Sequence, residues 1–152
     1  MNNYDKYSKC IVRSVGHIFK NFLDDNMVEE VYTPQSNSKD HKVAVEIEGT
    51  IQGELVINLP DKTLALITKK FINKSDAKLI KKSYGDVAGE LANLITGTFA
   101  NQLQYADHEI LLSPPEFNYD LVTMKALYEN INLSFSSKYG GFDIDLYYKN
   151  NN

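Results

Sequence analysis

Residues 75 to 104 read SDAKLIKKSYGDVAGELANLITGTFANQLQ, and the way this stretch divides into two faces decides the fold. At about 100° per residue, Ile80, Tyr84, Val87, Ala88, Leu91, Leu94, Ile95 and Phe99 share one apolar arc, the pattern of a long helix laid on a core. Asp86, Glu90, Asn93, Gly97, Asn101 and Gln104 gather on the opposite side, within a wedge of roughly 80°. The middle of that polar stripe holds no Lys or Arg, whereas a solvated helix surface ordinarily mixes both signs in i,i+4 pairs. Gly85, Gly89 and Gly97 lie in or beside it, although each glycine inside a helix costs about 1 kcal/mol relative to alanine. A residue without a side chain lets another group approach closely, so the stripe has the character of a docking surface. In the alternative reading Gly85 breaks the pattern and Asp86 caps a new helix; Glu90 and Asn93 share a face either way.

Upstream, Tyr7, Cys10, Ile11, Val15, Ile18, Phe19, Phe22 and Leu23 recur at three and four, which predicts a core-facing helix from about Tyr4 to Asn26. Val28 to Tyr32 reads as a short strand, and Pro34 to Asp40 as a loop. Val43, Val45 and Ile47, a turn at Gly49, then Leu55, Ile57 and Leu59 predict a hairpin. Pro60-Asp61 opens a helix to about Lys70, with Leu64, Ile67 and Phe71 inward. Downstream, Glu109 to Leu112 predicts a short strand stopped by Pro114-Pro115, and Leu121 to Met124 a brief pairing. Ile131, Leu133 and Phe135, a turn at Tyr139-Gly140-Gly141, then Phe142, Ile144, Leu146 and Tyr148 form a second hairpin.

The expected fold is therefore α+β: an antiparallel sheet of two β-hairpins packed with long helices, in pseudo-repeated helix/hairpin halves. SVGHIFKNFL from Ser14 aligns with DVAGELANLI from Asp86 without a gap. In that pairing Asn21 matches Asn93 and Ile18 stands opposite Glu90, so that only the second half holds an acid and an amide together. A chain of 152 residues suits a single domain spanning residues 1–152, with residues 149–152 expected to be a frayed tail.

A net charge of −4 with both signs scattered leaves no basic stripe to neutralise a nucleic-acid backbone. Residues 1 to 20 contain no apolar run long enough for a signal segment or a membrane span, which points to a cytoplasmic protein without a membrane partner. The lone Cys10 reads as a small buried hydrophobe. His17, His41 and His108 are far apart and lack companions at ligand spacing, so no metal site of the chain's own is expected. There is no phosphate-binding Gly-x-x-x-x-Gly-Lys loop and no Gly-x-Ser-x-Gly nucleophile turn.

Asp86-Val87-Ala88-Gly89-Glu90-Leu91-Ala92-Asn93-Leu94-Ile95-Thr96-Gly97 resembles the signature helix of the CheX group within the CheC/CheX/FliY family of chemotaxis phosphatases, Glu-x-x-Asn followed by an apolar pair and a glycine. Gly49 to Ile57 is similar to that family's first hairpin, and Ser113-Pro114 to the proline-containing segment after its helix. The resemblance covers roughly Val43 to Leu146. It implies hydrolysis of the aspartyl phosphate on a CheY-like response regulator, with Asn93 orienting the attacking water and Glu90 engaging a lysine of the regulator. Asp86, Gly89 and Gly97 would belong to the docking face. No cofactor of its own is implied, Mg2+ being expected in the regulator's active site, and sheet-edge pairing into a homodimer is implied as well.

The residue types suit these roles. An asparagine amide offers both a donor and an acceptor, and phosphoryl transfer depends mainly on alignment and electrostatics. Side chains three apart on a helix start about 5–6 Å from one another, so one rigid element can carry both into a neighbouring site. A surface Glu is ordinarily only solvated, and a helical Asn is often a neutral choice. The alternative is therefore a catalytically silent module that docks a response regulator or another signalling protein.

Overall fold

The computed structural model describes residues 2–104, 109–118 and 127–151. Its elements are α1 (Asn3–Phe22), β1 (Glu29–Val31), β2 (His41–Gly49), β3 (Ile51–Leu59), α2 (Asp61–Ile72), α3 (Ala77–Lys82), α4 (Tyr84–Gln104), β4 (Ile110–Leu112), β5 (Glu116–Phe117), β6 (Glu129–Ser137) and β7 (Gly140–Asn150). The sheet runs β1-β6-β7-β3-β2-β4, with β5 also on β2, and every pairing is antiparallel. The α+β architecture read from the two hairpins is the one observed.

The two halves interlock. β1, which follows α1, pairs with β6 of the second half, while β4, which follows α4, pairs with β2 of the first. The hairpins meet at β3 and β7 in the middle of the sheet. Neither half keeps its own edge strand, which ties the two helix/hairpin units into one core.

One sheet face carries Val43, Val45, Ile47, Leu55, Ile57, Ile144 and Leu146 against α1, α2 and α4. α1 docks through aromatic contacts: Phe19 stacks on Phe142 at 5.2 Å, and Tyr7 meets Tyr148 edge-on at 5.0 Å and Phe99 at 6.2 Å. The Tyr7 hydroxyl donates to Asn150 Oδ1 at 2.7 Å, and burial pushes its pKa up to about 12. Phe22, expected in this core, is half exposed because α1 ends there, and Leu23 takes the buried place. On the other sheet face, Asp143 is buried and accepts from the backbone N–H groups of Gln35 and Ser36. The loop predicted at Pro34 to Asp40 is thereby tied to β7.

Four expectations need correction. The helix predicted over 75–104 is divided at Ser83, whose N–H still bonds to Leu79 and Ile80 and whose carbonyl accepts from Val87 N. Gly85 is thus inside α4, and Asp86 lies in its first turn rather than at its cap. Residues 149–151 are not frayed: Asn150 pairs with Ile51, and Asn151 bonds to Thr50 O through its N–H and to Gly49 O through its amide. The second turn is Lys138-Tyr139, one residue earlier than predicted, since Ser137 already faces Gly140. Leu121 to Met124 falls outside the described residues, as does His108.

Candidate functional site

α4 turns Val87, Ala88, Leu91, Ile95 and Phe99 into the core and leaves Asp86, Glu90, Asn93, Asn101 and Gln104 exposed. Asn93 therefore faces solvent, as any role in contact with a partner requires. Among the described residues, neither Glu90 nor Asn93 has a hydrogen-bond or ionic partner. Both side chains pay the entropy of ordering only when something arrives to meet them.

Beside them runs a groove of about 260 Å³ lined by Gly85, Asp86, Gly89, Glu90, Asn93, Pro115 and Phe117. Its far wall is the chain's own segment after β4. Ser113 closes the β4 pairing there, its N–H donating to Glu46 O at 3.0 Å and its hydroxyl accepting from Glu46 N at 2.8 Å. Pro114 and Pro115 have no N–H to continue the ladder. Pro115 crosses over α4 instead, where a Cβ on Gly89 would lie 3.2 Å from its ring, and Phe117 rests over Gly85 in the same way at 3.3 Å. The close approach expected of these two glycines is thus made within the chain, and Gly89 is buried beneath it. Gly97 differs, since among the described residues a Cβ there would meet nothing within 4 Å.

The wall is braced from below. Phe117 pairs with Val43 in β2, and its ring stacks on His41 with centroids 5.6 Å apart. His41 Nε2 is 2.9 Å from Asp61 Oδ1, and the imidazole meets the Tyr84 ring edge-on at 5.3 Å. Burial, followed by the Asp61 carboxylate, holds the Tyr84 phenol above its ordinary pKa. Asn118 closes the segment by accepting from Lys42 N at 3.2 Å and donating its own N–H to Lys42 O at 2.6 Å. His41, set aside in the sequence for lacking companions at ligand spacing, is a strand residue supporting the groove. The spacing of Gly85 and Gly89, four apart on one helix face, was the sequence signal that a chain crosses there.

The chemotaxis phosphatase CheX family model matches residues 42–121, from the start of β2 past the groove wall and including all of α4. The chain belongs to the CheX family. No curated protein matches it by sequence. Among solved structures, a CheX chemotaxis protein from Vibrio vulnificus superposes with a TM-score of 0.78 at 18% identity, over 98% of this chain and 100% of the other. A chain of the CheX-CheY-BeF3-Mg2+ complex from Borrelia burgdorferi gives 0.75 at 16%, over 94% and 97%. A CheC-like protein from Shewanella sp. PV-4 gives 0.75 at 20%, over 98% and 99%. At such identities the likeness is one of fold. That fold is the CheX fold along almost the whole chain, including α1 and the second hairpin, which the family model does not cover.

Burial corrects the gapless alignment of the two long helices. Pairing Ser14 with Asp86 sets Ile18, 2% exposed, against the exposed Glu90. Moving the register by one residue matches Ile11 with Tyr84, Val15 with Ala88 and Ile18 with Leu91, all buried. The exposed His17 and Lys20 then stand where Glu90 and Asn93 stand. In either register α1 lacks the acid-amide pair. Among the described residues no group of three or more His, Cys, Asp or Glu side chains could hold a metal ion, and no helix is long and apolar enough to cross a membrane.

Proposed function

We propose that this CheX-family chain hydrolyses the aspartyl phosphate of a CheY-like response regulator, with α4 entering the regulator's active site. The observation that carries this reading is the exposure of Glu90 and Asn93, without partners among the described residues, on one face of a rigid helix over an open groove. Asn93 holds a water in line with the phosphorus: its carbonyl oxygen accepts a water proton while its N–H group contacts a phosphoryl oxygen. Water oxygen bonds to phosphorus, the bond from phosphorus to the aspartyl oxygen breaks with its electron pair passing to the carboxylate that stays on the regulator, and the water protons depart with the inorganic phosphate. The amide does not act as a base, because alignment and charge neutralisation supply most of the acceleration in phosphoryl transfer. Glu90 pairs with a lysine of the regulator, and Asp86 and Gly97 flank that contact. Mg2+ is the regulator's own and neutralises charge on the phosphoryl oxygens when bound there. The test is phosphate loss from each CheY-like regulator of the same genome with this protein in excess. Acceleration for at least one is expected, and no acceleration for any would refute hydrolysis, leaving the docking module as the reading.

We propose separately that the chain forms a homodimer through sheet edges. β4 and β5 cover β2, and β1 covers only Ser134 to Ser136 of β6. Among the described residues Glu129 to Leu133 of β6 thus have no neighbour on the side away from β7. An unpaired stretch of this kind is a template for a second copy. Sedimentation equilibrium at micromolar concentration is expected to return twice the chain mass; a monomer would remove the dimer without touching the hydrolysis proposal.

A further inference from the structure

Residues 69–82 hold six lysines and one aspartate, a net of +5 in a chain of −4, so that the rest of the sequence sums to −9. They form the end of α2, the connection to α3, and α3 itself, which has no buried residue. Lys69, Lys70, Lys74 and Lys138 line one groove of about 420 Å³ together with Leu66 and Tyr139. Asp24 pairs with Lys70 at 2.7 Å and its carbonyl accepts from Lys138 at 3.2 Å. Among the described residues Lys69, Lys74, Lys78, Lys81 and Lys82 have no acidic partner. Exposed Leu66 and Leu79 add apolar surface among them.

Helix ends explain part of this. Lysines in the last turns of α2 and α3 complement the helix dipole. Lys78 is in the first turn of α3, however, and has Lys81 and Lys82 three and four residues on, where like charges repel. The chain keeps this repulsion in the short helix that directly precedes α4, with Ser83 alone between them.

We infer that this lysine-rich surface is the electrostatic landing site of the response regulator, receiving the anionic rim of its phosphoryl pocket before α4 engages. This inference rests on the reading of α4 as the element that meets the regulator. The complementarity is chemical: a pocket that holds both a phosphoryl group and Mg2+ presents phosphate oxygens and metal-binding carboxylates, and a cationic surface attracts it. The surface and the reacting pair do different work. With a rise of 1.5 Å per residue, Asn93 lies roughly 14 Å along the axis from the start of α4, beyond a screening length of about 8 Å at physiological salt. The lysines therefore govern encounter and leave the chemistry at Asn93 unchanged.

The test compares the parent with Lys78→Glu/Lys81→Glu/Lys82→Glu and with the milder Lys78→Gln/Lys81→Gln/Lys82→Gln, both checked for native circular dichroism. The probe is each CheY-like regulator of the same genome activated with beryllofluoride and Mg2+, with association followed by stopped-flow fluorescence. At low salt the Glu variant is expected to associate at least about tenfold more slowly than the parent, with the Gln variant between them. Raising salt should shrink the difference, as electrostatic steering requires. Dissociation rates, and hydrolysis at saturation followed separately with the same regulators in phosphorylated form, should stay within about twofold, since steering acts on encounter. Equal association rates for the three proteins, or a loss confined to hydrolysis at saturation, would overturn the inference. Salt-dependent binding with no hydrolysis by the parent would instead overturn the phosphatase reading and leave the landing site standing. A parent that binds no activated regulator would overturn both.

Discussion

Gly53→Ala is expected to destabilise the fold by at least about 3 kcal/mol, seen as a fall in thermal midpoint of at least about 6 °C for a chain of this size. Gly53 lies in β3 between Ile47 of β2 and Tyr148 of β7. A Cβ at this position would overlap the Tyr147 carbonyl oxygen and stand 2.9 Å from Tyr148 Cα. Both are backbone atoms of the neighbouring strand, so no rotamer change relieves the overlap. Overpacking against mobile side chains costs about 1–3 kcal/mol; here β3 and β7 must part where the two halves of the molecule join. Gly97→Ala is the control, since a Cβ there meets nothing within 4 Å among the described residues. Removing a helical glycine should stabilise by about 1 kcal/mol. Equal midpoints for Gly53→Ala and the parent would show that the central strands are not packed as described.

Asn93→Ala is expected to slow catalysed loss of phosphate about 10²-fold at saturating protein, the scale on which one precisely aimed polar group contributes. The loss should fall on the rate at saturation and not on affinity, because a water-positioning contact matures only in the transition state. Stability should hold within about 0.5 kcal/mol, since an exposed side chain without partners leaves nothing unsatisfied when it is removed. That combination separates a chemical role from a structural one. Unchanged hydrolysis in the variant would move the site away from Asn93, and a comparable drop in thermal midpoint would return Asn93 to a structural part.

Much of the fold could be read because its elements bury one face and wet the other. The alternation through Val43 to Leu59 and Ile131 to Tyr148 has a period that only strands satisfy, and both hairpins stand where that period placed them. The apolar arc from Tyr84 to Phe99 likewise identified the buried side of α4. Periodicity is blind, however, to events that depend on another segment. It carried one helix through Ser83, because Ile80 and Tyr84 keep the same phase on either side of the junction. It left Asn150 and Asn151 as tail, because polar side chains give no sign that their backbone pairs with Ile51 and Thr50.

The candidate site divides in the same way. Glu90 and Asn93 were legible as a pair because their spacing on one helix is local geometry. The groove wall was not, since Pro115 and Phe117 are far from α4 in sequence and reach it only because β4 and β5 run along β2. Gly85 and Gly89 carried the signal, but glycine reports that something approaches and not what. The support of Phe117 by His41 and Asp61 depends on strand placement and leaves no mark in any local pattern.

The most direct test of the central claim is a single-turnover time course of phosphate loss from a phosphorylated CheY-like regulator, with parent protein, Asn93→Ala protein or buffer in parallel. The proposal predicts fast decay with the parent and decay slower by about 10²-fold in its catalysed part with the variant, both proteins binding the regulator alike. Decay indistinguishable among the three would contradict it, and would leave α4 as a surface that binds without catalysing.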